Sequence, residues 1–202
     1  GNDREIDLHI AKYDVQASLA HAIMLASIGI ITADELKDLQ KGLQELATDI
    51  ENGRFVIEAS FEDVHSKIEW ELTNKLGEVG KKIHTARSRN DQVLVALQLY
   101  YKENLGTVNE KVKTVFDTLL NLAETHKEKL LPGYTHLQVA MPSSFGLWFS
   151  AYAELLIDDV HMLNAVTKVV DQNPLGSAAG YGSSFPIDRE LTTQELNFAT
   201  LK

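Results

Sequence analysis

The run HTARSRNDQV at residues 84–93 sets a histidine, a threonine, two arginines, a serine, an asparagine and an aspartate side by side, just ahead of a long apolar-periodic segment. Thr85, Ser88 and Asn90 offer neutral donors, Arg87 and Arg89 offer planar forks for carboxylates, and the free N–H groups of a helix start favour an anion. Together they suit a substrate bearing several carboxylates. The same residues equally make a capped, salt-bridged helix start that needs no ligand. A second candidate is GYTHLQ at 133–138, where His136 stands between Thr135 and Gln138 in a Pro/Gly-framed loop. Imidazole moves protons near neutral pH, although a hydrogen-bonded loop histidine can also be purely structural.

The remaining polar residues carry weaker signals. His65 in EDVHSKIE has only Glu62 or Asp63 as possible co-ligands and no HxxxH spacing, so it reads as a polar contact or helix-start residue, and no metal site is expected. His9, His21, His84, His126 and His161 show no paired spacing and read as structural or surface residues, with His84 supporting the arginine loop. Ser183 and Ser184 lack the GxSxG frame and an adjacent base, which argues against a serine nucleophile.

These groups must be positioned by helices. Ile6, Ile10, Tyr13, Ala17, Ala20, Met24 and Ile28 recur at spacings of three and four and predict one helix over 4–28, stopped by Gly29. TADE at 32–35 predicts a capping box on a second helix with Leu36, Leu39, Leu43, Leu46 and Ile50 inward and Gly53 as the stop. A third helix is expected from SFED to Leu76. From residue 91 to 126 the apolar repeat Leu94, Leu97, Tyr101, Leu105, Val108, Val112, Val115, Leu119 and Leu122 predicts a single long helix, widened by Phe116, Leu120 and Ala123 as in a bundle. Pro132-Gly133 breaks it, Pro142 suits the first turn of a helix running back, and DRELTTQELNF begins one more after a Gly/Ser-rich loop. No strand pattern is visible. The expected class is all-α, with a small helical domain over 1–86 and the front half of a long-helix bundle over 87–202.

The totals set outer bounds. A chain of 202 residues can bury a core without staples, and its net charge of -10 argues against a nucleic-acid or anionic-membrane surface. The absence of cysteine excludes disulfides and thiolate chemistry, and with no membrane span or signal peptide in the sequence a cytoplasmic protein is expected. Geometry adds a constraint. A helix over 91–126 rises by about 50 Å, so one chain cannot bring its own Arg89 and His136 into one pocket, whereas antiparallel packing of copies can. Shared sites in a homo-oligomer are therefore expected.

HTARSRNDQV, PGYTHLQVAMP, EDVH and PIDRELTTQELNF, in this order and over the whole chain, resemble the argininosuccinate lyase family of the fumarase/aspartase superfamily. The resemblance implies an all-helical subunit whose central bundle forms a homotetramer with sites where three subunits meet. It implies cofactor-free elimination of argininosuccinate to arginine and fumarate through a carbanion-like intermediate. By the same likeness His136, paired with a distant glutamate, takes part in proton transfer. Ser88, Arg89, Asn90 and Thr135 grip the carboxylate, Asp7 lies near the amino-acid end of the substrate, and His65 and Gln138 lie close to the site. Arg87 serves the carboxylate or the loop.

The sequence also departs from the family pattern. The Gly-Ser-Ser-x-Met-Pro-x-Lys-x-Asn loop with the catalytic serine is missing, GSSFPIDRE at 182–190 imitates only its beginning, and Ala86 replaces the usual glycine. The expectation is an internal piece of the lyase, inactive alone. The alternatives are another superfamily lyase, such as one acting on adenylosuccinate, or a non-catalytic crystallin-like relative.

Overall fold

The computed structural model describes residues 3–202. Two compact units divide it, one formed by the chain up to Tyr101 together with Asp171–Lys202, the other by Lys102–Val170. The division expected at 86/87 falls inside the first unit, just ahead of the long helix.

In the first unit, helix α1 (Asp3–Ile6) is followed by a 3-10 turn at Asp7–His9 and then by α2 (Ala11–Ser27). The single helix expected over 4–28 is thus interrupted where the Asp7 carboxylate accepts the Val64 N–H at 3.2 Å. Ile6 falls outside the buried stripe, while Ile10, Tyr13, Ala17, Ala20 and Met24 lie in the core as expected. Gly29 leaves the helix at φ 75°, a conformation costly to residues with a Cβ.

Helix α3 (Ala33–Glu51) opens with the anticipated box, Glu35 N–H donating to Thr32 Oγ1 and Thr32 N–H to Glu35 Oε2. It buries Leu39, Leu43 and Leu46. Gly42 lets it approach α4 (Val64–Leu76), since a Cβ there would stand 2.9 Å from Leu72 Cδ2. Val64, Ile68 and Leu72 form the inward face of α4, and the short α5 (Glu78–Lys81) follows.

Helix α6 (Arg89–His126) is unbroken for 38 residues. Its buried side chains are Asp91, Gln92, Val95, Ala96 and Leu99, all in the first unit. Of the expected stripe there, Leu94 is exposed and Leu97 partly buried, while the buried face also carries Gln92, bound to Asp14, and Asp91.

The second unit contains strands that the sequence reading did not foresee. β1 (Leu130–Thr135) and β2 (Gln138–Ser144) pair antiparallel, with Thr135 opposite Gln138 and Pro132 opposite Pro142. Pro142 therefore lies in a strand rather than in the first turn of a helix. A two-stranded hairpin has only edge strands, which tolerate proline. Helix α7 (Phe145–Val170) starts three residues later and returns along the second part of α6. Gly146 packs on Ala123 and Lys127 where a Cβ would stand 2.7 Å from Lys127 Cα, and the His126 and Phe149 rings are 6.4 Å apart. Val108, Val115 and Leu120 of α6 and Leu147, Leu155, Met162, Val166 and Val169 of α7 stay exposed.

The chain then re-enters the first unit. β3 (Gln172–Asn173) pairs in parallel with β4 (Thr200–Leu201) around α8 (Arg189–Glu195), the helix anticipated in DRELTTQELNF, whose N-cap is Asp188. The fold is mostly α, as expected, with these two small strand pairs added. Among the described residues no helix is long and apolar enough to cross a membrane.

Candidate active site

The long helix begins through a reciprocal cap. Ser88 N–H donates to Asp91 Oδ1 at 2.9 Å, and Asn90 sends both its backbone N–H and its side-chain amide to Ser88 Oγ at 3.3 Å. The Asp91 carboxylate, in the third helical position, takes the Ser88 N–H as in a capping box, while Ser88 Oγ accepts from the second helical residue rather than the third. Ala86 turns the chain into it at φ 59°.

Arg89, one residue further, gives one guanidinium nitrogen to both the Asp63 carboxylate and Ser66 Oγ. Asp63 is also the N-cap of α4, accepting from Ser66 N and Ser66 Oγ, each at 2.8 Å. Burial works to raise its pKa, but the Ser66 and Arg89 donors hold it below the usual carboxylate value. Asp7 faces the same helix start through Val64, and its pKa is raised by burial, with the charges of Asp63 and Asp3 adding to the effect. The starts of α4 and α6 thus bring Asp7, Ser88, Arg89 and Asn90 to one region, where Arg89 still has its Nε and second terminal nitrogen to offer a carboxylate.

Behind this surface lies a buried polar layer. His65 Nδ1 stands 3.1 Å from Asp14 Oδ2, an ion-pair distance outside hydrogen-bond geometry, and both side chains are buried. Gln92 Nε2 donates to both Asp14 oxygens, at 2.9 and 3.2 Å. Burial opposes ionisation of Asp14, but His65, Arg87 and Gln92 together keep its pKa below the usual value.

Arg87 is interior. It donates to Ser18 Oγ at 3.0 Å, and although burial lowers its pKa, Asp14, Asp91 and Glu69 counter that effect. Its place is behind the loop. His21 accompanies it, with Nε2 at 2.8 Å from the Thr85 carbonyl, so that nitrogen carries the proton and donates. Burial, with Arg87 nearby, lowers the His21 pKa to about 3. Burial and Arg87 also lower that of His84.

Thr135, His136 and Gln138 belong to the second unit, at the exposed tip of the β1–β2 hairpin. His136 and Leu137 are the two turn residues, at φ 49° and 65°. Ser183 Oγ accepts the Phe185 N–H in a local turn. Among the described residues no group of three or more His, Asp or Glu is placed to hold a metal.

The sequence reading passed over Asp14 and Gln92, weighed Asp63 only as a metal co-ligand, and gave Asp91 no role. Asp91 was detectable by its spacing of three from Ser88, and Asp63 by its place ahead of an apolar run. Asp14 gave no signal, being an acid set among apolar stripe positions.

The helical scaffold presents arginine, serine and asparagine at one helix start, and residues 2–202 match the lyase family model. The chain belongs to the lyase family. It is 57% identical over 201 residues to the argininosuccinate lyase of Phocaeicola vulgatus, covering 100% of this chain and 45% of that protein. To the argininosuccinate lyase of Stenotrophomonas maltophilia it is 46% identical, covering 100% and 47%. The chain thus spans a little under half the length of these relatives. Among solved structures, a variant of EDDS lyase with bound fumarate is 27% identical with a TM-score of 0.83, over 96% of this chain and 38% of that one.

Proposed function

We propose that the protein carrying this chain is an argininosuccinate lyase of arginine biosynthesis, eliminating argininosuccinate to arginine and fumarate without a cofactor. The reading rests on the Ser88–Arg89–Asn90 helix start, found in a chain 57% identical to a protein of that name. Elimination removes a proton from the carbon beside a carboxylate, so negative charge builds on that carboxylate before the C–N bond breaks. Donors fixed in advance stabilise that charge most effectively. Ser88, Arg89, Asn90 and Thr135 supply them, His136 takes part in proton transfer, and Asp7 faces the substrate's amino-acid end. His65 and Gln138 line the site, and Arg87 supports the loop from behind.

The site is shared between copies in a cytoplasmic homotetramer. The unbroken α6, about 57 Å long by its rise per residue, and the exposed apolar side chains of α6 and α7 support that reading. Neither nucleic acid nor membrane is a partner.

The test is the ultraviolet absorbance of released fumarate, with argininosuccinate and adenylosuccinate offered in parallel to the active enzyme. Turnover of argininosuccinate alone is expected, with His136→Asn lowering kcat by about 100-fold or more. Turnover of adenylosuccinate instead, or full activity in the histidine variant, overturns the assignment. Sedimentation showing a monomer at assay concentration overturns the shared site.

A further inference from the structure

Asp91 is fully buried, and each of its oxygens is taken up by backbone amides. Oδ1 accepts the Ser88 N–H at 2.9 Å, while Oδ2 accepts those of Gly176 and Ala178 at 2.8 and 3.0 Å. The second pair comes from the Gly/Ser-rich segment after β3, which is sharply curved, with Gly176 at φ 92°, Ala178 at 52°, Gly180 at 106° and Gly182 at 79°. Amides presented along such a curve form a concavity for an anion, and the Asp91 carboxylate fills it. On its other side the segment is held by Arg189, whose Nε donates to the Leu175 carbonyl at 2.9 Å. Gly176 is packed so closely on Arg189 and Ile187 that a Cβ would stand 2.9 Å from each. A single carboxylate therefore joins the residue that begins α6 to a loop some 85 positions further along the chain.

Resting on the function proposed above, we propose that Asp91 is a positioning residue. It locks the 174–182 loop to the Ser88 end of α6, so that the Ser88 hydroxyl and Asn90 amide are fixed before substrate arrives and the loop backs the carboxylate pocket. The capping contact alone would account for one oxygen. The other serves only the loop, and a helix start needs no such partner.

Native-state amide exchange in the unaltered enzyme tests the link without any substitution: Ser88, Gly176 and Ala178 are expected to exchange as one slow set. In Asp91→Asn one acceptor oxygen becomes a donor facing N–H groups, and exchange at the amides that lose their acceptor is expected to rise about 10- to 100-fold, with α3 unchanged. The kinetic readout is the KM-against-kcat split for argininosuccinate per folded molecule, well below the melting temperature. kcat is expected to fall about tenfold or more, with KM changed less, because the Ser88 and Asn90 donors are placed for the charge that builds in the transition state. A purely structural role would lower stability and leave both constants unmoved. Unchanged kcat in the folded variant, or fast exchange at Gly176 and Ala178 beside a protected Ser88 in the unaltered enzyme, overturns the proposal. Should Asp91→Asn not fold, the exchange pattern of the unaltered enzyme decides. Absence of turnover in the unaltered enzyme overturns the reaction assignment and the positioning role together, whereas normal turnover with unlinked exchange overturns Asp91 alone.

Discussion

Asp63 performs two tasks with one carboxylate, and two substitutions separate them. It caps α4 through Ser66 N and it pairs with Arg89. Asparagine caps a helix about as well as aspartate, so Asp63→Asn keeps the first task and loses the ionic part of the second. The pair is half-open to solvent on the arginine side, with side-chain exposures of 40% for Arg89 and 15% for Asp63. Such a pair contributes about 1 kcal/mol or less. Asp63→Ala loses the cap as well, for about 1 kcal/mol more. The expected order in urea unfolding at pH 7 is therefore wild type, then Asn, then Ala, in steps of roughly 1 kcal/mol each. Because the folded pKa of Asp63 is depressed, its ionic contribution is present above the unfolded value near 3.8 and is lost as pH falls through the folded pKa. The gap between wild type and Asp63→Asn should close in that acid window. Equal destabilisation by Asn and Ala, or a gap that persists once Asp63 is protonated, would refute the division of labour.

Two further outcomes follow from backbone strain and from burial. Ala86 is held at φ 59°, so Ala86→Gly relieves about 1 kcal/mol of strain against a similar entropy cost and should leave the melting temperature nearly unchanged, while β-branched Ala86→Val should lower it clearly. His21 is held neutral with a folded pKa of about 3 against 6.5 unfolded, so the unfolded chain binds the extra proton. Stability should fall by about 1.4 kcal/mol per pH unit below 6.5, flattening near the folded pKa, and urea midpoints from pH 7.5 to 4 should lose part of this slope in His21→Leu.

Helices were legible wherever the apolar period met a cap. Thr32 and Glu35 fixed the start of α3, and Leu39, Leu43 and Leu46 fixed its face, because each of those signals is local. The candidate residues at the start of α6 were legible for the same reason. Their supports were not. Asp14 and Gln92 meet across 78 positions, and Asp91 reaches Gly176 across 85, so their roles depend on how the helices pack and leave no mark in a window of one or two turns.

The hairpin was missed for a different physical reason. Type I′ hairpin turns place both central residues at positive φ, and the residues that signal this are Asn, Asp and Gly. Here the tip is His136-Leu137, at φ 49° and 65°, and Leu137 is almost fully exposed. A leucine gains nothing locally from that conformation or that exposure. The turn must be imposed by the pairing of β1 with β2, in which Thr135 opposes Gln138 across it. Each strained turn residue costs about 1–3 kcal/mol that local chemistry does not offset, and the tip carries the three residues Thr135, His136 and Gln138 that the proposed reaction uses. A variant with Asn-Gly at 136–137 should therefore be more stable in urea unfolding and, because it removes His136, lose the proposed fumarate release by about 100-fold or more.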